Sequence, residues 1–161
     1  ELGLLWQSDT ITPAHEHFIS NLIKQKLHIN TEKLQVQKPT KNDRIYVLSL
    51  PMNEIHELGL MYIQYEILLQ GYKTIYLGES MPIENLKELN NHFNNITFVS
   101  YLTTQPDRTI VNQYVKNMSS ELLNKSNEIW LIGKVVEHIE SENLNQRVHI
   151  FNSIEKLVMQ I

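Results

Sequence analysis

With 161 residues, 42% of them hydrophobic, and a formal net charge of −4 at pH 7, the chain can bury roughly two thirds of the surface its unfolded form would expose, and it lacks the overall positive field of a nucleic-acid-binding domain. The absence of cysteine excludes a disulfide framework, thiolate zinc sites, iron–sulfur clusters and a thiol nucleophile, and it fits a reducing, cytoplasmic compartment. No apolar run approaches the ~20 residues of a membrane span, and no charged-then-apolar leader is seen, so a soluble, untargeted protein without membrane contact is expected.

The chain opens on apolar residues (Leu2, Leu4, Leu5, Trp6) before any start signal, as though in mid-element, which sets the expectation of an upstream segment. A first helix is expected from Thr12-Pro13, a cap followed by proline at the first helical position, with Phe18, Ile19, Leu22, Ile23 and Leu27 on one side. The locally basic stretch 24–44 reads as solvated surface. The polar stretch Pro39 to Asp43 then gives way to a short apolar run, Ile45 to Leu48, so the boundary is placed there: a helical segment, a partial bundle, over 1–40 and an α/β domain over 41–161.

Strand and helix patterns then alternate: strand 44–49, helix about 55–70 ending at Gly71, strand 73–77, helix about 83–93, strand 96–100, helix about 107–123, strand 128–132, a short helix, strand 147–151, and a helix from Asn152. Continuous apolar strands suit a sheet covered on both faces, and five such units imply a five-stranded, doubly wound parallel sheet of flavodoxin-like, Rossmann-like type. Ligands in such sheets bind beyond the carboxyl ends of the strands where the strand order reverses, which singles out loops 50–57, 101–106 and 133–137.

The first of these loops carries Glu54, His56 and Gly59. An imidazole there can coordinate a metal through one nitrogen while Glu54 fixes the other, and Gly59 would let a flat ligand approach the backbone. Taken alone, the loop leaves open a helix-start histidine with no ligand. His15-Glu16-His17 is not a bare metal site, because helical residues two apart point about 200° apart. No Gly-x-Ser-x-Gly elbow, Walker loop or Gly-x-Gly-x-x-Gly turn is present.

Glu54-x-His56-x-x-Gly59 resembles the Asp/Glu-x-His-x-x-Gly motif of cobalamin-binding domains, and Ser100-Tyr101-Leu102 resembles the Ser-x-Leu that follows about forty residues later. The family then has a Gly-Gly pair after the fourth strand. Here the segment is Ile132-Gly133-Lys134, with one glycine missing, and a narrowed channel for the nucleotide tail and weaker cobalamin binding are expected from the side chain of Ile132 or Lys134. Trp6, nine intervening residues and Glu16-His17 resemble the Trp-x9-Glu-His motif of the cobalamin-dependent, light-responsive MerR-type repressors, the CarH-like group. Singly, Trp6 also reads as a packing aromatic and Glu16-His17 as a solvated pair; their joint occurrence with the first motif carries the resemblance.

The resemblance implies that His56 is the lower axial ligand of cobalt, Glu54 its supporting carboxylate, and Ser100, with Leu102, Gly59 and Gly133, part of the tail site. It implies that Trp6, Glu16 and His17 surround the upper, adenosyl ligand. The implied function is sensing, not enzymatic turnover: adenosylcobalamin controls self-association, and DNA is reached only through a separate N-terminal domain. Gln7 stands where some members have a histidine that binds cobalt after photolysis, so a photoreceptor role here could follow a different photochemistry. Two other readings share these residues, a corrinoid carrier serving methyltransferases and a regulator of the same fold that senses another ligand or a protein.

Overall fold

A computed structural model describes residues 12–161 apart from residue 125. Helix α1 (Pro13–Gln35) starts as the sequence indicates: the Thr12 hydroxyl accepts from the backbone N–H of His15, whose side chain in turn accepts from the Thr12 N–H, closing a capping box ahead of a proline. The chain then runs through β1 (Ile45–Ser49), α2 (Leu58–Leu69), β2 (Lys73–Gly78), α3 (Ile83–Lys87), β3 (Ile96–Tyr101), α4 (Val111–Leu122), β4 (Glu128–Ile132), β5 (Val148–Phe151) and α5 (Ile154–Val158).

All neighbouring strands pair in parallel, in the order β2-β1-β3-β4-β5. This is the doubly wound, flavodoxin-like arrangement expected from the alternating pattern, and its order reverses between β1 and β3. Every residue of β1 is buried, which explains why its sequence is a continuous apolar run. Side chains alternate between two cores. Val47, Phe98 and Leu131 pack with Leu86, Val115 and Met118 of α3 and α4; Leu48, Val99, Trp130 and Ile132 pack with Leu60, Ile63 and Ile67 of α2 and Leu157 of α5. Burying each aliphatic side chain contributes about 1.5–3 kcal/mol.

The differences from expectation lie at helix ends. α2 begins at Leu58, not 55, and α4 at Val111, not 107. The segment expected as a helix over 83–93 is α-helical only to Lys87 and continues as a 3₁₀ turn through Asn91, which Asn127 fixes by donating to the Asn90 side chain at 2.7 Å. In the basic stretch 24–44, Lys26, Lys33 and Lys38 are exposed as the reading of solvated surface expects, while three other cations are engaged. Lys24 pairs with Glu57 at 2.9 Å, Lys41 stands 4.5 Å over the Tyr72 ring, and Arg44 donates two hydrogen bonds to Glu128 at 2.8 and 3.0 Å.

No helix among the described residues is long and apolar enough to cross a membrane.

Candidate functional site

The loops after β1, β3 and β4 meet at the carboxyl edge of the sheet, and one carboxylate ties two of them together. Glu54, fully buried, accepts at Oε1 from the backbone N–H of Ile55 (3.0 Å), from that of His56 (3.1 Å) and from the His56 ring Nδ1 (2.5 Å). Its Oε2 accepts from the N–H groups of Thr103 (3.2 Å), Thr104 (2.6 Å) and Gln105 (2.8 Å) and from the Thr104 hydroxyl (3.1 Å). Burial alone would push this carboxyl up. The N–H groups of Thr104 and Gln105 and the His56 ring outweigh burial and hold it at about 2.

The ionised state of Glu54 decides the state of His56. A carboxylate can only accept, so the Nδ1 facing it must carry a proton, and in the neutral ring the lone pair is left on Nε2. The His56 side chain is 53% exposed while Glu54 is 0% exposed. An imidazole locked at one nitrogen and open at the other is prepared to ligate a metal through Nε2. Among the described residues no group of three or more His, Cys, Asp or Glu side chains is placed to hold a metal ion. His56 therefore has no three-ligand protein set around it among the described residues, and a metal held there would take further coordination from elsewhere.

Ser100 lies at the end of β3, in register with Ser49 of β1. Its Oγ is buried with no partner at strict hydrogen-bond geometry, and the Tyr114 phenol lies close enough to act on it as a hydrogen-bonding neighbour. An orphaned buried hydroxyl usually costs 1–3 kcal/mol, so its presence here fits an absent polar partner. Leu102, also buried, donates its N–H to Ile132 at 2.7 Å and accepts from Val135 at 3.0 Å, which joins the third loop to the second.

The two site glycines do different work from that expected. Gly133 has φ of +117°, and a Cβ there would meet the Leu102 carbonyl oxygen at 2.4 Å; what this glycine admits is protein backbone. A Cβ on Gly59 would meet the Tyr101 ring at 2.5 Å, so an aromatic ring of this chain already lies against it. The expectation that Ile132 intrudes into an open channel is corrected. Ile132 is 2% exposed, sits beside Tyr101 in the β3–β4 ladder and belongs to the core. Lys134 is exposed.

On α1, Glu16 accepts from the Ser20 hydroxyl at 2.5 Å and lies 3.6 Å from the His17 ring, which is 75% exposed. Trp6 and Gln7 lie outside the described residues. Sequence reasoning missed Lys24 and Glu57. Glu57, the neighbour of His56, accepts from Lys24 of α1 and from the Tyr76 hydroxyl at 3.0 Å, so the helix is bound to the histidine loop. Seven residues make nearly two helical turns, which puts His17 on the same face as Lys24 and about 10 Å further along the axis.

Fold and site together describe a flavodoxin-like α/β domain with a carboxylate-oriented histidine at its switch point, and its fold is also that of solved corrinoid- and cobalamin-binding proteins. The chain superimposes on the monomethylamine corrinoid protein of Methanosarcina barkeri with a TM-score of 0.74 at 16% identity, over 98% of this chain and 74% of that one. It superimposes on a cobalamin-binding protein from Desulfitobacterium hafniense DCB-2 with a TM-score of 0.58 at 14% identity, over 99% and 74%. In sequence it is 30% identical over 86 residues to the HTH-type transcriptional repressor CarH of Myxococcus xanthus, 53% of this chain. The chain spans 27% of that repressor's length. No protein-family model matches the chain.

Proposed function

We propose that this domain binds a cobalamin-type corrinoid, with His56 Nε2 as the lower ligand of cobalt, and acts as the ligand-sensing part of a cytoplasmic transcriptional regulator of the CarH-like type. The observation that carries the reading is the His56–Glu54 pair: one ring nitrogen fixed by a buried, ionised carboxylate and the other open at the switch point. A corrinoid held by His56 would bring the remaining cobalt ligands and, in an alkylated form, a cobalt–carbon bond that can be broken. Glu54 holds the proton on Nδ1 and raises the donor strength of Nε2. Ser100 offers a buried hydroxyl to the ligand's polar periphery.

In this reading residues 1–40 form the cover and residues 41–161 the binding domain, and Trp6, Glu16 and His17 wall the upper face, where an adenosyl group would sit. The function is sensing without turnover: a ligand held between α1 and the sheet shifts self-association only by its different affinity for the two assembled states, and DNA is bound by a domain outside this chain. A carrier role is the second reading, favoured by the superposition of nearly the whole chain, α1 included, on a corrinoid protein.

Titrating the purified protein with hydroxocobalamin and adenosylcobalamin in the dark, followed by absorbance after gel filtration, tests the reading. Retained cobalamin is expected, and His56→Ala should weaken its retention and change its spectrum while leaving the fold intact. An unchanged spectrum in the variant would remove His56 from the site. Oligomeric state with and without ligand separates sensor from carrier, since only the sensor should change assembly.

A further inference from the structure

We infer that Glu57 is a positioning residue for His56, and that through it the docking of α1 and ligation at His56 are coupled. The inference rests on the corrinoid reading above and concerns how that site is controlled. Glu57 follows His56 directly and stands at the N-cap of α2, where its carbonyl accepts from the Met61 N–H at 2.9 Å. An acidic side chain at such a position ordinarily turns back to accept from the first N–H groups of its own helix. Here it makes no cap bond. Both its oxygens go to other elements instead: Oε1 pairs with Lys24 of α1 at 2.9 Å, and Oε2 accepts from the Tyr76 hydroxyl of β2 at 3.0 Å.

The peptide that carries the histidine is thereby held from two sides. On one side Glu54 accepts from the N–H groups of Ile55 and His56 and from the His56 ring. On the other, Glu57 donates its own N–H to the Ile55 carbonyl at 3.0 Å while α1 and β2 fix its side chain. The Tyr76 bond is the constant member, because burial first and the Glu57 carboxylate second push ionisation of the phenol up and keep it a donor. Lys24 is the variable member, since it comes from a helix in which Thr31 alone is buried. When α1 lifts, Glu57 keeps only Tyr76 and the residue beside His56 is freer to shift. When a ligand fixes His56, Glu57 is fixed in turn for Lys24, because coupling of this kind is reciprocal. A part-buried ion pair bounds the effect at about fivefold.

The experiment titrates aquacobinamide, which carries no nucleotide base to compete with His56, into the intact chain, Lys24→Met and Lys24→Arg, and repeats Lys24→Met in a His56→Ala background. Amide exchange at residues 55–57 is followed in the ligand-free proteins, with thermal melts to verify folding. Lys24→Met should weaken cobinamide binding about three- to fivefold and speed exchange at His56 and Glu57 by a similar factor, whereas Lys24→Arg, which keeps the charge, should behave as the parent. In the His56→Ala background Lys24→Met should leave the residual affinity unchanged, a result that helix packing alone would not produce. Affinity and loop exchange equal to the parent in Lys24→Met, or a loss that persists undiminished without His56, overturns the inference and leaves the corrinoid reading standing. If no corrinoid binds the parent, the corrinoid reading fails, and loop exchange alone upholds or overturns the positioning role of Glu57.

Discussion

Glu54 is both a ligand-orienting residue and a structural fastener, and these roles can be separated. From sequence it is a partner of His56 alone; the structure shows that its second oxygen also accepts from three consecutive N–H groups and a hydroxyl in the next loop. Glu54→Gln keeps the size but turns one acceptor into a donor facing donors. A loss of about 1–3 kcal/mol is expected, read as a melting temperature lower by about 2–4 °C per kcal/mol for a chain of this length. His56→Ala removes a half-exposed ring and should leave the melting temperature nearly unchanged. If Glu54→Gln melts with the parent, the fastening role is wrong. The His56, Glu54 and Ser100 positions were legible because spacing on a known kind of loop places them. The contacts of Glu54 to Thr103, Thr104 and Gln105 were not, because they are fifty residues away and made to backbone that any sequence would supply.

At the scale of elements, the strands were readable to within a residue or two because parallel strands buried on both faces must be apolar throughout. Helix starts were less so. Glu54 accepts from the N–H groups of Ile55 and His56, and Asp107 accepts from the N–H and hydroxyl of Thr109; both build a turn that looks like a helix cap three or four residues before the helix begins. Gly133 was read as room for ligand, whereas its positive φ and the approach of the Leu102 carbonyl make it the hinge that lets β4 end against the β3 loop. Gly133→Ala combines backbone strain with overlap, and a destabilisation of about 2–4 kcal/mol is expected, checked by urea unfolding. Ile132→Gly should also destabilise, through a core cavity, so it cannot serve to open a ligand channel.

The opposite edge of the sheet supplies a pH-dependent contact between elements. Hydrogen bonds from Arg44, ahead of β1, hold the Glu128 carboxyl of β4 below its ordinary value of 4.5, against the opposing effect of burial and with help from Trp130. A depressed folded-state value contributes stability that is complete above the unfolded value and is lost as pH falls through the folded one. Glu128→Gln should therefore melt below the parent at pH 7, and the gap should close as the pH drops below about 4.5. A gap constant from pH 7 to pH 3 would show that the loss is one of packing and not of charge.

Across the whole molecule, the least secured part is the one the proposed function needs to move. Thr31 is the single buried residue of α1, while Phe18 is 65% and Leu22 45% exposed. A helix of this length gains most of its stability from packing, and here α1 lies along α2 with Thr31 buried and the Lys24–Glu57 pair at its middle, while an apolar groove lined by Leu22, Tyr62 and Tyr65 stays open between the helices. Amide exchange in α1 should thus run at least about 100-fold faster than in β1 and β3, the mark of local opening at lower free energy. Lys24→Ala removes the link to the histidine loop and leaves Glu57 half-buried with only Tyr76 to answer it. A partly exposed pair of this kind contributes about 1 kcal/mol at most, so α1 protection should fall up to about fivefold while exchange in the sheet stays as it was. Ligand supplies the decisive comparison. If α1 closes over a bound corrinoid, saturation at 100 times Kd adds about 2.7 kcal/mol to the closed state, and α1 amides should slow by up to about 100-fold in the parent. Protection confined to the loops after β1 and β3, with α1 exchanging as in the free protein, would place the ligand on the sheet alone and remove Glu16 and His17 from its surroundings.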